Sequence, residues 1–223
     1  MPDVAYILVA VAAYLLGSIP TGFLVGRVRG IDIRSVGSGN IGATNTMRVL
    51  GKPAGIFVLL VDCLKGFAAC AFFPPLIFNW LEPHFSVFAP GFYAEPVEFQ
   101  MRLKIIAGIF AVLGHNYTCW LKFKGGKGIA TTTGVYLALA PWAVLIGLVV
   151  FLLAALVTRY VSVGSIAAAV ALPVAVCLTQ SGFLLDVVSV ALGALAIYKH
   201  KGNIQRLRNG TENRITFIKK DSQ

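Results

Sequence analysis

Charge is scarce in these 223 residues. Only 13% are Asp, Glu, Lys or Arg, while 57% are hydrophobic and the mean hydropathy is +0.80. Soluble domains carry about 25% charged residues. A single soluble core has no use for so many apolar runs of spanning length, so the composition indicates a polytopic membrane protein. Acidic residues are scarcest of all, nine against 19 Lys and Arg, for a formal net charge of +10. Among apolar spans that excess reads as cations gathered on cytoplasmic loops, and no nucleic-acid partner is expected. The four cysteines, Cys63, Cys70, Cys119 and Cys177, form no C-x-x-C pair and lie mostly in apolar runs. They read as small packing residues, neither disulfides nor ligands. His, Cys, Asp and Glu nowhere show metal-ligand spacing, so no metal and no cofactor are expected. Walker A is absent, because Gly126-Lys127 is followed by Gly128 and Leu121 holds the place of the first glycine. There is no G-x-S-x-G elbow, no internal repeat and no low-complexity segment.

The longest polar, glycine-rich run is Arg34 to Lys52. Gly37, Gly39 and Gly42 free its backbone to turn N–H groups toward one point. Ala43 to Leu50 reads as a short helix, with Gly51 as its stop and Pro53 just beyond. A glycine-rich turn feeding a helix N-terminus suits an anion. Ser38, Asn40, Thr44 and Asn45 add neutral polar groups, and Arg48 adds a charge one turn into the helix. The run also spells G-x-G-x-x-G at Gly37–Gly42. That fingerprint has meaning only after a β-strand, and here it follows an apolar helix and a basic hinge, so a dinucleotide fold is excluded. A tight turn without a ligand remains the plain alternative.

The apolar run from Val4 ends at Arg27 and reads as a first span of about 4–26, kinked near Pro20, and not as a cleaved signal peptide. A second span at about 54–78 contains Asp62 and Lys65, three apart on one helix face. Each alone is unfavourable in hydrocarbon, so both should face the protein interior, and a structural ion pair is favoured over a catalytic one. Residues 80–101 read as an outer loop rich in aromatics and prolines. A third span covers about 103–121, followed by a second glycine-rich basic turn, Lys122-Phe-Lys-Gly-Gly-Lys-Gly128. Continued as one helix, 129–158 would be about 45 Å long, against a hydrocarbon core of about 30 Å. Pro141 divides it, giving spans of about 129–140 and 142–158. Further spans lie at about 164–180 and 184–198, and a basic tail follows.

Charge sets the count at seven spans, with the N-terminus outside and the C-terminus cytoplasmic. Sixteen of the 19 Lys and Arg then lie on the cytoplasmic side, in the loops 27–53, 122–128 and 159–163 and in the tail from Lys199. Fusing 129–158 into one span would move Arg159 and the tail outside and erase the bias. The expected architecture is all-α, one transmembrane domain over 1–223: a seven-span core to residue 200 and a basic tail over 201–223. It puts both glycine-rich turns, the Arg159–Ser165 segment and the tail on one face. Lys124 and Lys127 flank glycines that open a helix, a second anion-friendly N-terminus. His115 reads as a structural donor and His84 as a surface residue. His200 and Asn203 fall three apart, on one face if the last span continues, and are expected to contact substrate.

Several of these motifs together resemble a known family. They are Ser38-Gly-Asn-Ile-Gly-Ala-Thr-Asn-Thr-Met-Arg48, Asp62-Cys-Leu-Lys-Gly66, Gly114-His115, Phe123-Lys-Gly-Gly-Lys-Gly-Ile-Ala-Thr131, Arg159-Tyr-Val-Ser162 with Ser165, and His200-Lys-Gly-Asn-Ile-Gln-Arg206 with Gly210 and Glu212. In this order they are similar to the acyl-phosphate-dependent glycerol-3-phosphate acyltransferases of bacteria, the PlsY type, over about residues 5–213. The His-x4-Asp motif of the commoner glycerolipid acyltransferases is absent. The resemblance implies transfer of a fatty acyl group from acyl phosphate to the sn-1 hydroxyl of glycerol 3-phosphate, giving lysophosphatidic acid and phosphate. It implies a seven-span enzyme of the bacterial inner membrane with a cytoplasmic site lined by Ser38, Arg48, Lys127, Ser165, His200 and Asn203. Asn40, Thr44, Asn45 and Lys124 lie in the same motifs. Lys127 and Arg48 would stabilise charge on the leaving group. Ser165 or Asn203 would orient the acceptor, with His200 as the rival general base. A transporter or flippase for a phosphorylated molecule is the alternative. It would want inverted repeats or paired broken helices, and the sequence has neither.

Overall fold

The computed structural model describes residues 2–85, 96–179 and 182–215. Among them all regular structure is helical: α1 (Pro2–Ser18), α2 (Thr21–Val28), α3 (Ala43–Leu50), α4 (Lys52–Phe85), α5 (Pro96–Asn116), α6 (Ile129–Leu139), α7 (Pro141–Thr158), α8 (Val161–Thr179), α9 (Phe183–Lys199) and α10 (Lys201–Arg208), with one 3₁₀ turn at Cys119–Leu121. The chain divides into two compact units, one ending at Pro141 and one beginning at Trp142.

Local chemistry sets most of the boundaries. Pro20 interrupts the first span, as its missing N–H requires, and separates α1 from α2. Gly51, at φ +91°, stops α3 one residue before α4 begins. Pro141 opens α7, a position where it needs no N–H donor, so 129–158 is two helices. One expectation needs correction. Residues 80–101 are not wholly loop, because α4 continues to Phe85 and α5 starts at Pro96. An ion pair from Glu98 to Arg102, four residues on, braces the first turns of α5 (2.5 Å). Residues 86–95, the turn residues Gln180 and Ser181, and the tail beyond 215 lie outside the described residues.

Four helical stretches among the described residues are long and apolar enough to cross a bilayer: Asp3–Val28, Lys52–Leu81, Pro141–Thr158 and Val161–Thr179. A fifth is added if α9 and α10, bent by 52°, count as one. α6 has only 11 residues, about 16 Å of helix. α5 carries Glu98, Arg102 and Lys104 in its first half.

In the first unit glycines let helix backbones touch. A β-carbon on Gly17 would strike the Ala111 backbone, and one on Gly114 the Tyr14 carbonyl, so α1 and α5 cross in close contact. Gly66 and Gly134 do the same for α4 and α6, against the carbonyls of Thr131 and Cys63. Polar ties finish the α1–α5 end: Tyr14 Oη donates to the Tyr117 carbonyl (2.7 Å), and Thr118 Oγ1 to the Ser18 carbonyl (2.5 Å). In the second unit Gly164 admits the Phe151 carbonyl and Gly193 the Ala169 carbonyl. The segment after α10 folds back onto the start of α8, where Ile215 N donates to the Arg159 carbonyl (2.7 Å).

Candidate active site

The first glycine-rich turn is held from inside by Asn45. Its Nδ2 donates to the carbonyls of Ile33 and Val36 (3.1 Å each), and its Oδ1 accepts from Ser38 N (2.8 Å). Asn45 is buried, so its amide shapes the turn. Asn40 Oδ1 accepts from Gly42 N (2.8 Å), an Asx turn that leads into α3. Gly37 and Gly39 have φ of +65° and +69°, which favour glycine; Gly42 sits in the ordinary extended region. Three N–H groups of the turn are therefore committed internally, those of Ser38, Gly39 (to Val36 O, 3.2 Å) and Gly42. These three are thus not among the N–H groups that the glycines were expected to turn toward one point. Gly42 precedes α3 at its N-cap position and offers no side-chain cap. Thr44 is half-buried on its first turn and Arg48 is exposed on its last.

Arg34 is not a spare cation. It is paired with Asp32 (2.6 Å) and lies over the Phe23 ring (4.7 Å). The side-chain hydrogen bond from Arg34 holds the Asp32 carboxyl at a pKa of about 2.

The second turn, Lys122–Gly128, is built against the end of α5. Gly125 N donates to the Asn116 carbonyl (3.2 Å) and Gly126 N to the His115 carbonyl (2.9 Å). A β-carbon on Gly126 would overlap the His115 ring at Nε2, and one on Gly128 would come within 2.9 Å of Asn116 Oδ1. Gly128, at φ +82°, is the uncapped entry to α6. Lys127 stands one residue before it, half-buried, and Lys124 is exposed. The bases of the two turns share one apolar cluster: Ile33 and Ile41 of the first pack with Leu121, just before the second, and with Phe23. The first unit thus brings two glycine-rich segments, each feeding a helix N-terminus, onto a common support.

The second unit holds Ser165, His200 and Asn203, all buried. Ser165 Oγ donates to the Val161 carbonyl (3.0 Å). The last span does not run straight through His200, because α9 ends there and α10 leaves at an angle. His200 Nδ1 lies 2.7 Å from the Ala196 carbonyl. A carbonyl only accepts, so Nδ1 carries a proton and donates it there. Asn203 Nδ2 donates to Glu212 Oε1 (2.7 Å), which also accepts from Ser162 Oγ (3.1 Å), while Arg206 Nε binds Glu212 Oε2 (2.7 Å). Burial works against the Glu212 carboxylate. The donors from Asn203, Arg206 and Ser162 outweigh it, so its pKa lies below the ordinary value of 4.5. Arg214 Nε adds a bond to Tyr160 Oη (2.8 Å). The first part of the expected tail is therefore folded structure. Sequence reasoning gave no role to Ser162, Arg206 or Glu212, whose only signal was their place inside the motifs. No group of three or more metal-ligating side chains occurs among the described residues.

Comparison with known proteins agrees over nearly the whole length. Residues 7–210 match the family model described as glycerol-3-phosphate acyltransferase. The glycerol-3-phosphate acyltransferase of Geotalea daltonii is 46% identical over 208 residues, covering 93% of this chain and 96% of its own. That of Geobacter sulfurreducens is 43% identical over 94% and 97%. Among solved structures, PlsY (YgiH), an integral membrane glycerol 3-phosphate acyltransferase, matches in its glycerol 3-phosphate form with a TM-score of 0.78. It shows 36% identity and covers 95% of this chain and 96% of that one. Its lysophosphatidic acid form matches with a TM-score of 0.76 and 34% identity, covering 95% of each chain.

Proposed function

The chain belongs to the glycerol-3-phosphate acyltransferase family and is a membrane enzyme of phospholipid synthesis; we propose that its donor is an acyl phosphate and its acceptor position the sn-1 hydroxyl of glycerol 3-phosphate. The acyl carbon–oxygen bond to phosphate breaks and an ester bond to the glycerol oxygen forms. The hydroxyl proton leaves on a phosphate oxygen, and the products are lysophosphatidic acid and inorganic phosphate. The observation that carries this reading is the pair of glycine-rich basic turns on one apolar support, since both substrates and both products carry a phosphate. The relatives' structures named for glycerol 3-phosphate and lysophosphatidic acid forms support the acceptor and the product.

Acyl phosphate is already activated, so the chain need only hold the hydroxyl near the carbonyl and screen the two anions. Lys127 and Arg48 are assigned to charge on the leaving phosphate, with Lys124 as a further cation. Ser38, Asn40 and Thr44 serve the phosphate at the first turn, and Asn45 shapes that turn. Ser165, His200 and Asn203 are assigned to substrate contact. The distribution of Lys and Arg supports seven spans with the N-terminus outside and the C-terminus in the cytoplasm of a bacterial inner membrane. On that topology the lipid tail of the donor stays among the spans while its phosphate reaches the basic turns.

The test is purified protein in detergent, given glycerol 3-phosphate and either an acyl phosphate or an acyl thioester. Phosphate release matched by lysophosphatidic acid, with the acyl phosphate alone, is the expected result. Transfer from the thioester only would reject the donor assignment. Lys127→Met should lower kcat about 100- to 1000-fold, the scale for one lost electrostatic donor, without lowering the thermal midpoint. A variant at parent rate would remove Lys127 from the chemistry.

A further inference from the structure

Asp62 and Lys65 lie in the membrane-spanning part of α4, yet they are only 2% and 4% exposed. Their ion pair (Lys65 Nζ to Asp62 Oδ1, 2.8 Å) has two further neighbours that come from distant parts of the sequence. Thr21, the first residue of α2, donates its hydroxyl to Asp62 Oδ1 (2.9 Å). His115, on the last turn of α5, brings Nδ1 to 3.7 Å from the same oxygen. Lys65 also donates to the Ile19 carbonyl (2.9 Å), at the break between α1 and α2. Both outer partners are buried, at 6% and 5% exposure.

Each partner leads to one glycine-rich turn. Thr21 is followed by Gly22, where a β-carbon would overlap the Ile41 carbonyl and come within 2.9 Å of Thr46 Oγ1. α2 therefore bears directly on the first turn and on α3. His115 carries the second turn on both its backbone and its ring: its carbonyl accepts from Gly126 N, and its Nε2 edge lies against the Gly126 Cα. One buried carboxylate oxygen is thus a single step from the support of either turn.

We propose that the Asp62–Lys65 pair, with Thr21 and His115, is a positioning cluster that fixes the first glycine-rich turn relative to the second, and hence Arg48 and the Ser38 segment relative to Lys127. This rests on the acyltransferase reading of the two turns. Stability alone does not call for such a cluster. A buried ion pair replaced by apolar residues of similar volume is often neutral or stabilising. What an apolar pair lacks is a directional acceptor for the Thr21 hydroxyl and a carboxylate facing His115.

The cleanest probe is Thr21→Val, which removes one hydroxyl at nearly constant volume, with Thr21→Ser as the rescue. Asp62→Leu/Lys65→Met tests the pair itself. For each, kcat, KM for glycerol 3-phosphate and the thermal midpoint are measured beside the parent. The expected result for Thr21→Val is a fall in kcat/KM of about ten- to a hundredfold, carried by a raised KM as well as a lower kcat, with the midpoint lowered by only about 2–4 °C, the scale of one lost hydrogen bond, and with Thr21→Ser restoring the parent values. The double variant should match or exceed the parent midpoint and lose at least as much activity. Parent kcat/KM in Thr21→Val overturns the proposal, and so does equal impairment of Thr21→Val and Thr21→Ser, which marks a volume effect. If the double variant does not fold, the Thr21 pair decides alone. A parent that makes no lysophosphatidic acid would sink the acyltransferase reading instead, a result distinct from an active parent matched by its variants.

Discussion

Gly126→Ala should reduce acyl transfer by about 100-fold, the loss expected when a reacting group is displaced by about 1 Å. The cause is local. The new methyl would occupy the place of His115 Nε2, and His115 is buried with no room to swing away cheaply. The turn must lift instead, breaking the Gly126 N–H bond to the His115 carbonyl and moving Lys127 next to it. The effect should appear in KM for glycerol 3-phosphate and in kcat together. Gly147→Ala is the control, because its β-carbon meets nothing within 4 Å and alanine is the better helix former. Steady-state kinetics on both variants, with thermal unfolding in the same detergent, give the comparison. A Gly126→Ala enzyme at parent kcat/KM would mean that the second turn does not hold a reacting group.

Glu212→Ala should destabilise the second unit by about 3 kcal/mol and leave little transfer activity. The carboxylate is buried and accepts from Ser162, Asn203 and Arg206, so truncation removes an acceptor shared by three donors. The figure is the low end for a broken buried pair, because the Arg206 side chain remains 35% exposed. Asn203 would lose the bond that sets its amide, and the return segment its tie to α8. Glu212→Gln keeps the shape and separates charge from packing. The folded carboxyl has a depressed pKa, so its charge contributes full stability above the ordinary glutamate value of 4.5. That stability is lost as pH falls through the lower folded value. The gap in thermal midpoint between parent and Glu212→Gln should therefore hold at neutral pH and close only below about pH 4.5. A gap independent of pH would show that the charge is not what the three donors need.

Much of the architecture could be read from local signals. The polar run closing at Gly51 delimited α3 to the residue, since a helix stop depends on the residues beside it. Pro141 divided the apolar run for a reason confined to one ring. The Asp62–Lys65 pair followed from a spacing of three. The ends of α4 and α5 were misjudged because the bilayer limits a span but not a helix, and the aromatic and proline content of 80–101 hid the helical turns at both edges. The internal use of Asn45 was not legible, because spacing shows that an amide is near a turn and not which way it faces. Thr21 and His115 as companions of Asp62 depend on contacts between segments far apart in the chain, for which no local pattern exists, and Glu212 as the acceptor for Asn203 depends on the chain turning back after α10. The candidate substrate residues were thus found by motif. The residues that hold them in place came only from the fold.

The account stands on phosphate recognition by the two glycine-rich turns, and the acceptor tests it most directly. Acyl transfer by the purified protein should be measured from acyl phosphate to glycerol 3-phosphate and, in parallel, to glycerol. A site built around the phosphate should prefer glycerol 3-phosphate by about 10⁴-fold in kcat/KM, as buried polar groups left unpaired reject the smaller acceptor. Equal kcat/KM for glycerol would contradict it.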